Sequence, residues 1–338
     1  MFDQRKRNFY HFMDEIQSEI EQLVNLVPIS SISSWLKTHD KPHSHSSKSN
    51  FIKNLVKWVK KGDISLKDIE DAVIDVEENG GKKIKLKLIK NFDLSKLKKH
   101  LNSKGVSFSK TDKLSLPSNV PSKLNYIYLD EEKQILKIKW SETQESAEID
   151  YQKKSIEAKK KIIFVIVVID VETGFTQIRY DTPQDMHSYI NEKEKKKDSL
   201  YEEHYLKELK KMLPVTFKLE DYYIGDLMDY ILKKERKKFR IENENVKISQ
   251  GSKQRYSRVG GDIRDLEARQ GAEINDGSNW VVDNLTGYWI NEESQGKLVR
   301  DLFMRMSKVD SAINFHRDCL SQELNYAIDE IRQIKGKI

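Results

Sequence analysis

Cysteine is almost absent from this 338-residue sequence, which carries a single thiol at Cys319. A disulfide within the chain is therefore impossible, and a zinc site built from several cysteines is excluded. A catalytic Cys–His pair would need an exposed thiolate beside His316. We expect instead that Cys319 is buried and behaves as a small apolar side chain. The scarcity of cysteine also favours a reducing compartment.

Long hydrophobic runs are also lacking. The longest apolar run, residues 162–169, has eight residues, whereas a membrane-spanning helix needs about 20. Residues 1–17 carry charges where a signal peptide would have an apolar segment. We therefore expect a soluble, cytoplasmic protein with no membrane partner.

Neither sign of charge dominates, because 60 lysine and arginine residues face 54 acidic residues, for a net charge of +6. Any basic function must therefore depend on local clusters. One cluster, residues 79–113, has eleven lysines and two acids, and a second, residues 233–261, has ten lysine or arginine residues and three acids. Residues 262–301 then hold nine acids and four bases. Such blocks suit surfaces that face different partners.

Apolar residues recur every three or four positions in the N-terminal third of the chain. This spacing predicts helices over residues 10–27, 50–61 and 65–78. Ser65 and Asp68 have the spacing of a capping box at the start of the third helix. The N-terminal region is therefore expected to be largely helical.

The apolar period changes to two further along the chain. Lysine alternates with isoleucine or leucine over residues 82–90, which predicts a half-buried strand, and Asp93 is expected to cap a short helix after it. Two prolines at 115–123 indicate a boundary. Residues 162–169 are apolar at every position, so we expect a central strand covered on both faces. A turn at 171–174 should return it antiparallel.

These patterns predict an α+β protein, with an N-terminal helical domain followed by mainly antiparallel β-sheet regions and flanking helices. The predicted regions are residues 1–115, which include the lysine-rich strand, a central β region at 122–183, a connecting polar helix at 184–212 and a C-terminal α+β domain at 213–338. Within the last region we expect an amphipathic helix over 218–235, a strand over 238–248, a hairpin over 279–290 and a final helix over 318–334.

The lysine-rich strand is the first candidate for phosphate contact. Lys83, Lys85 and Lys87 should point to one side of it, opposite the apolar residues. The alternative interpretation is a solvated sheet edge, because lysines on an edge strand also prevent aggregation.

The second basic cluster is the stronger candidate for an anionic partner. Its helix is expected to end with Lys234, Arg236, Lys237 and Lys238, where cations also suit the helix dipole. A glycine-containing loop should follow, with Lys253, Arg255 and Arg258 as phosphate ligands and Tyr256 as a stacking face. We expect this loop, residues 252–261, to be mobile when free. The alternative is an ordinary flexible surface loop.

Metal and nuclease chemistry have weaker support. A cluster of His39, Asp40, His43 and His45 lies in a polar segment that we interpret as a linker rather than a metal site. Asp170, Gln177 and Arg179 resemble the carboxylate and lysine pattern of metal nucleases only in outline, because the second carboxylate is missing. We expect no metal and no cofactor.

The two helices at 50–78 and the strand after them have the outline of a helix-turn-helix with a wing. However, residues 67–78 carry six acids and one lysine, and the phosphates of DNA would repel the second helix. A small helical packing unit is the better interpretation.

The sequence favours a non-enzymatic, largely sequence-independent nucleic-acid-binding subunit of a larger assembly, with DNA rather than RNA as the partner and with protein subunits around it. One alternative is a protein-interaction scaffold without nucleic-acid binding, whose acidic helix at 65–78 and polar helix at 186–212 would dock partners. Another alternative is a degenerate metal-dependent nuclease.

Overall fold

The computed structural model describes residues 15–44, 46–109, 123–150, 155–181, 203–248, 253–276, 280–315 and 319–338. Within these ranges the chain forms nine α-helices and eleven strands, and all the strands belong to one antiparallel sheet. The N-terminal helices precede the strands, and the predicted α+β class is confirmed.

The helices follow the chain in nine segments. They are α1 (15–24), α2 (Ile29–Thr38), α3 (Lys48–Lys61), α4 (Leu66–Asn79), α5 (Leu94–Ser103), α6 (203–212), α7 (Gly225–Lys234), α8 (Glu267–Asp276) and α9 (Ser321–Lys335). Parts of the predicted helices at 10–27, 184–212 and 318–334 fall outside the described residues.

The strands are mostly in the second half of the chain. They are β1 (Lys82–Lys90), β2 (Lys123–Asp130), β3 (Ile135–Asp150), β4 (Ser155–Asp170), β5 (Phe175–Asp181), β6 (Lys218–Asp221), β7 (Phe239–Lys247), β8 (Lys253–Ser257), β9 (Val281–Trp289), β10 (Leu302–Ser307) and β11 (Ala312–Phe315).

The local signals at the helix starts are confirmed. Asp68 donates its backbone N–H to the Ser65 hydroxyl at 3.1 Å, and the Ser65 N–H donates to the Asp68 carboxylate at 2.7 Å. Asp93 caps α5 by accepting from the Lys96 N–H at 3.1 Å. Helix α3 ends at Gly62, whose φ of 76° suits a residue without a Cβ.

Helices α1 to α4 bury their apolar faces against one another. The core of this bundle includes Ile20, Leu36, Phe51, Leu55 and Ile69, all without exposed surface. The predicted helices at 50–61 and 65–78 are therefore packing helices, and their apolar spacing is used for the core.

The sheet runs in the order β2-β3-β4-β5-β1-β11-β10-β9-β7-β8. Strand β1 pairs with β5 on one side, and on the other side with β11 along its first half and with β6 along its second. The interpretation of β1 as a sheet edge is therefore wrong. The alternation of lysine with apolar residues indicates only that the two faces of the strand differ. An interior strand can have this pattern when its lysine ammonium groups find partners at the sheet surface.

Strand β4 confirms the predicted central strand. It lies between β3 and β5. Val165 and Val167 belong to one apolar cluster, whereas Phe164, Ile166 and Val168 belong to another on the opposite face. The turn at 171–174 returns the chain into β5 as expected.

Two elements of the C-terminal region differ from the prediction. Residues 281–289 form the single strand β9 rather than a hairpin, and residues 253–257 form strand β8 rather than a loop. Gly287 does not turn the chain: a Cβ there would lie 2.1 Å from the Arg240 carbonyl oxygen of β7. Glycine is needed here because it lets strands β7 and β9 approach each other closely, and not because the backbone turns. Residues 218–221 likewise form β6, so the amphipathic helix is shorter than expected.

The sheet is covered differently on its two faces. Helices α5 and α6 pack on one face of β2–β5, through residues such as Leu97, Leu101 and Leu209. Helices α7 and α9 belong to the core on the opposite face, which includes Leu285 and Trp289 of β9. No helix in the described ranges is both long and apolar enough to span a bilayer.

Candidate nucleic-acid interface

Five strands, β11, β10, β9, β7 and β8, present a face that lies opposite the core of α7 and α9. We call it the open face. In β9, Leu285 and Trp289 are buried toward the helices, whereas Thr286 and Tyr288 between them are half-buried. In β10, Arg305 is exposed between two buried methionines. Alternation thus places the polar, basic and aromatic residues of these strands on the open face.

Strand register aligns the open-face residues in rows. Thr286 of β9 pairs with Arg305 of β10, Arg305 with Asn314 of β11, and Asn314 with Lys83 of β1. In the other direction, Thr286 pairs with Asn243 of β7. This row brings residues that are more than two hundred positions apart in the sequence onto one surface.

A second row lies two residues along the strands. Arg255 of β8 pairs with Asn245 of β7, Asn245 with Asn284 of β9, and Asn284 with Ser307 of β10. Arg255 is exposed and its guanidinium donates to the Asn243 side chain at 3.4 Å. Asparagine side chains thus fill the space between the two arginines, and each offers both donors and an acceptor.

A third row is aromatic. Arg240 of β7 pairs with Tyr288 of β9, which pairs with Phe303 of β10. The Arg240 guanidinium carbon lies 5.0 Å from the Tyr288 ring centroid, and the Tyr288 and Phe303 rings meet edge to face at 5.4 Å. Burial, and next the carboxylate of Glu242, raise the pKa of the Tyr288 hydroxyl. The hydroxyl therefore stays protonated at neutral pH.

Acids next to the open face pair with some of its cations. Arg240 lies 3.1 Å from Asp301 and 3.5 Å from Glu242, and Lys247 lies 3.1 Å from Asp283. In contrast, Lys253 and Arg305 are exposed and form no ion pair with any described residue. Together with Arg255, they are the cations of this face that remain available to an external anion.

The second basic cluster is thus divided between several surfaces. Lys253 and Arg255 lie on the open face, but Tyr256 points to the opposite side of β8, because it pairs with buried Glu244. Its ring packs against Trp280 with centroids 5.6 Å apart. The prediction that Tyr256 offers a stacking face next to the arginines is therefore wrong in its geometry.

The end of α7 carries the remaining cations of this cluster. Lys238 donates to Glu330 at 2.8 Å, and this hydrogen bond raises the pKa of its ammonium group. Arg236 pairs with Asp265, and Arg258 lies 4.0 Å from the same carboxylate group. Lys234 and Lys237 are exposed. Helix α7 packs on the core opposite the open face, so these cations are not part of the three rows.

The lysines of β1 have partners within the fold. Lys85 is buried and donates to the Asp310 backbone carbonyl, and Lys87 pairs with Asp221. Lys83 lies 3.9 Å from the Asp310 carboxylate and continues the first row of the open face. Of the three predicted phosphate ligands, Lys83 is therefore placed best.

Sequence reasoning missed a buried group of charges at the end of α4. Lys139 of β3 lies 2.6 Å from Glu77, and Lys137 lies 2.8 Å from Glu78. Beside them, the buried guanidinium of Arg179 in β5 donates hydrogen bonds to the side chains of Asn79 and Gln177. We call these charges the buried cluster.

Burial perturbs the pKa values of this cluster. It raises the pKa of the Glu77 carboxyl, and Lys139 and Lys82 oppose this effect only in part. Burial also acts on Glu78, but there Lys137 and Lys139 prevail and the pKa is lowered. For Arg179, burial lowers the pKa to about 10, so the guanidinium remains charged at neutral pH.

The residues of the nuclease interpretation do not come together. Arg179 pairs with Ile166, four residues from Asp170, which is about 13 Å along the strand. Asp170 instead accepts the backbone N–H groups of Glu172 and Thr173 at 3.0 Å and pairs with Arg332 at 2.9 Å. Its carboxylate stabilises the β4–β5 turn.

The remaining candidates have structural surroundings. Cys319 is fully buried, as expected, and burial raises the pKa of its thiol; His316 lies outside the described residues. His39 stacks on Trp35 with ring centroids 3.7 Å apart, and His45 lies outside the described residues. Within the part of the chain that is described, no three His, Cys, Asp or Glu residues are grouped as metal ligands.

Comparison with known proteins does not assign the chain to a family. No protein-family model matches the chain, and no curated protein resembles it closely enough to count as a match.

Proposed function

We propose that the chain is a non-enzymatic nucleic-acid-binding subunit of a larger assembly and that the open face is its interface. The observation that carries the proposal is the exposure of Lys253, Arg255 and Arg305 on one sheet surface where the described residues supply no acidic partner. Cations left unpaired on a surface are suited to phosphates, whose contacts supply most of the affinity in non-specific binding.

The amide residues between the cations support largely sequence-independent binding. Asn243, Asn245, Asn284 and Asn314 offer hydrogen bonds to phosphate and sugar as readily as to bases. Contacts to the backbone set position without reading sequence. DNA is the partner that we propose first, and protein subunits of the assembly would contact other surfaces of the chain.

The scaffold alternative has weaker support. It relied on the acidic helix at 65–78 and on the polar helix at 186–212, most of which lies outside the described residues. In the acidic helix, Glu77 and Glu78 are buried against Lys139 and Lys137. These two carboxylates are therefore used in folding and are not offered to a partner protein.

The test is the salt dependence of binding to random-sequence DNA. The triple variant Lys253→Ala, Arg255→Ala, Arg305→Ala should bind more weakly at every sequence. The slope of log affinity against log salt should decrease in magnitude by about two to three on duplex DNA, because each neutralised phosphate contributes roughly 0.9. Fluorescence anisotropy over about 50 to 200 mM salt measures this slope.

A matched control variant removes three positive charges from a surface outside the open face. Lys57, Lys60 and Lys61 are exposed on α3, away from the sheet, and form no ion pair with the described residues. Their triple alanine variant should keep the wild-type slope. Equal losses in the two variants would show that net charge alone governs binding, and wild-type slopes in both would contradict the proposed interface.

A further inference from the structure

The aromatic row gives the open face a feature that phosphate binding does not need. Tyr288 and Phe303 are half-buried on a surface otherwise made of amides, hydroxyls and cations. Both rings lie on adjacent strands at the same level of the sheet. Exposed rings on a sheet surface are the usual platforms on which unpaired bases stack.

Arg240 prepares this platform. Its guanidinium lies over the Tyr288 ring and also pairs with Asp301 and Glu242. The two carboxylates neutralise its charge, so Arg240 contributes less to phosphate binding than Arg305 does. It fixes the Tyr288 ring, and its guanidinium plane is itself a surface on which a base can stack.

The cations lie beside the rings. Phe303 and Arg305 point to the same side of β10, and two residues of a strand separate them by about 7 Å. A chain whose base rests on Phe303 therefore brings its own phosphates within reach of Arg305. Farther along the sheet, Arg255 and Lys253 of β8 can follow the same backbone.

The width of the face discriminates between duplex and single strand. Five adjacent strands span about 19 Å at a spacing of about 4.8 Å, whereas the major groove of B-DNA is about 12 Å wide. The face is therefore too broad to enter the groove, and a duplex would offer only its phosphates to the cations. A single strand lying across the sheet offers both phosphates and base faces.

We infer that the open face binds single-stranded nucleic acid, with bases stacked on Tyr288 and Phe303 and phosphates held by Arg305, Arg255 and Lys253. This inference rests on the proposed function and specifies its ligand. The stacking is tolerant of sequence, because every base has a flat face.

The experiment compares three probes with the full chain. They are an oligothymidylate of about 20 nucleotides, which exceeds the site of a typical single-strand binding fold, a duplex of the same length, and inorganic polyphosphate, which has charge but no bases. We expect the wild type to bind oligothymidylate more tightly than the duplex. Phe303→Leu and Tyr288→Leu should each weaken oligothymidylate binding about tenfold, and binding of polyphosphate should not change.

Leucine keeps the apolar contacts of both positions and removes only the ring. The conservative variants Phe303→Tyr and Tyr288→Phe should retain wild-type affinity. Phe303→Trp supplies a second readout that does not depend on a loss: its added indole fluorescence should be quenched by oligothymidylate and not by polyphosphate.

The outcomes separate the inference from the proposed function. If the leucine variants bind oligothymidylate normally and the indole is not quenched, or if the duplex binds as tightly as the single strand, the inference is overturned while the proposed function stands. If the wild type binds none of the three probes, both are overturned.

Discussion

The buried cluster and the open face use the same kinds of side chain in opposite ways. Lys139 and Glu77 are 2% and 5% exposed and pair at 2.6 Å beneath helix α4. Arg305 belongs to the same sheet, but it is exposed and has no acidic partner among the described residues. The same kind of charge therefore serves folding where helix α4 supplies a partner, and it is available to a ligand where the described residues supply none.

The largest loss of stability is expected when a charged side chain is introduced into the buried part of the sheet without a partner. Val167→Asp places a carboxylate in the apolar cluster of β4, where the paired residues Ile138 and Ile178 are both buried and apolar. The loss should be about 4 to 5 kcal/mol or more. We expect no folded protein by circular dichroism, and a normal melting curve would contradict the burial of β4.

Removing one partner from the buried cluster should have the next largest effect. Lys139→Ala leaves Glu77 buried without its closest cation, which should cost about 3 to 5 kcal/mol of unfolding free energy. Urea unfolding measures this loss.

The control for that variant changes both partners. Lys139→Met combined with Glu77→Leu replaces the pair by apolar side chains of similar volume, and most of the stability should return. If the double variant is no more stable than Lys139→Ala, apolar packing cannot replace the pair, and its charges contribute net stability to the buried cluster.

The two glutamates of the buried cluster should respond to pH with opposite signs. The pKa of Glu78 lies below its ordinary value of 4.5, so its charged form stabilises the fold above 4.5 and this contribution is lost as the pH falls through the lower folded value. The pKa of Glu77 lies above 4.5, so its charge costs stability at neutral pH and the cost disappears as the pH falls through the raised value.

Single glutamine variants separate these effects. Glu78→Gln should lose less stability than the wild type on acidification below 4.5, and Glu77→Gln should lose more stability than the wild type between neutral pH and 4.5. Urea unfolding at several pH values is the measurement. Identical pH profiles for the two variants would show that the carboxyls titrate alike.

The smallest effect on stability is expected at the open face. Arg305→Ala removes an exposed charge that pairs with no described acid, so the unfolding free energy should change by less than about 0.5 kcal/mol. A thermal melt compared with the wild type measures it. A loss as large as that of Lys139→Ala would mean that Arg305 is part of the fold, and the contrast between the two regions would fail.

Prediction from the sequence was best where the signal was local. The capping residues Ser65 and Asp93 and the apolar residues of β4 were found because their partners lie within a few positions or because every position shares one property. The candidate site was found only in part. Lys253 and Arg255 were included, whereas Arg305, Tyr288 and Phe303 were missed because no run of basic residues surrounds them in the sequence.

The α+β class, the starts of α4 and α5 and the burial of β4 all followed from local sequence patterns, because periodicity and helix capping depend on residues that are close together in the chain. The tertiary structure decided that β1 is an inner strand and that residues 281–289 form one strand. It also decided that Arg255 and Arg305 share a face. A period of two shows that a strand has two sides, but only its pairing with distant strands decides which side a helix covers.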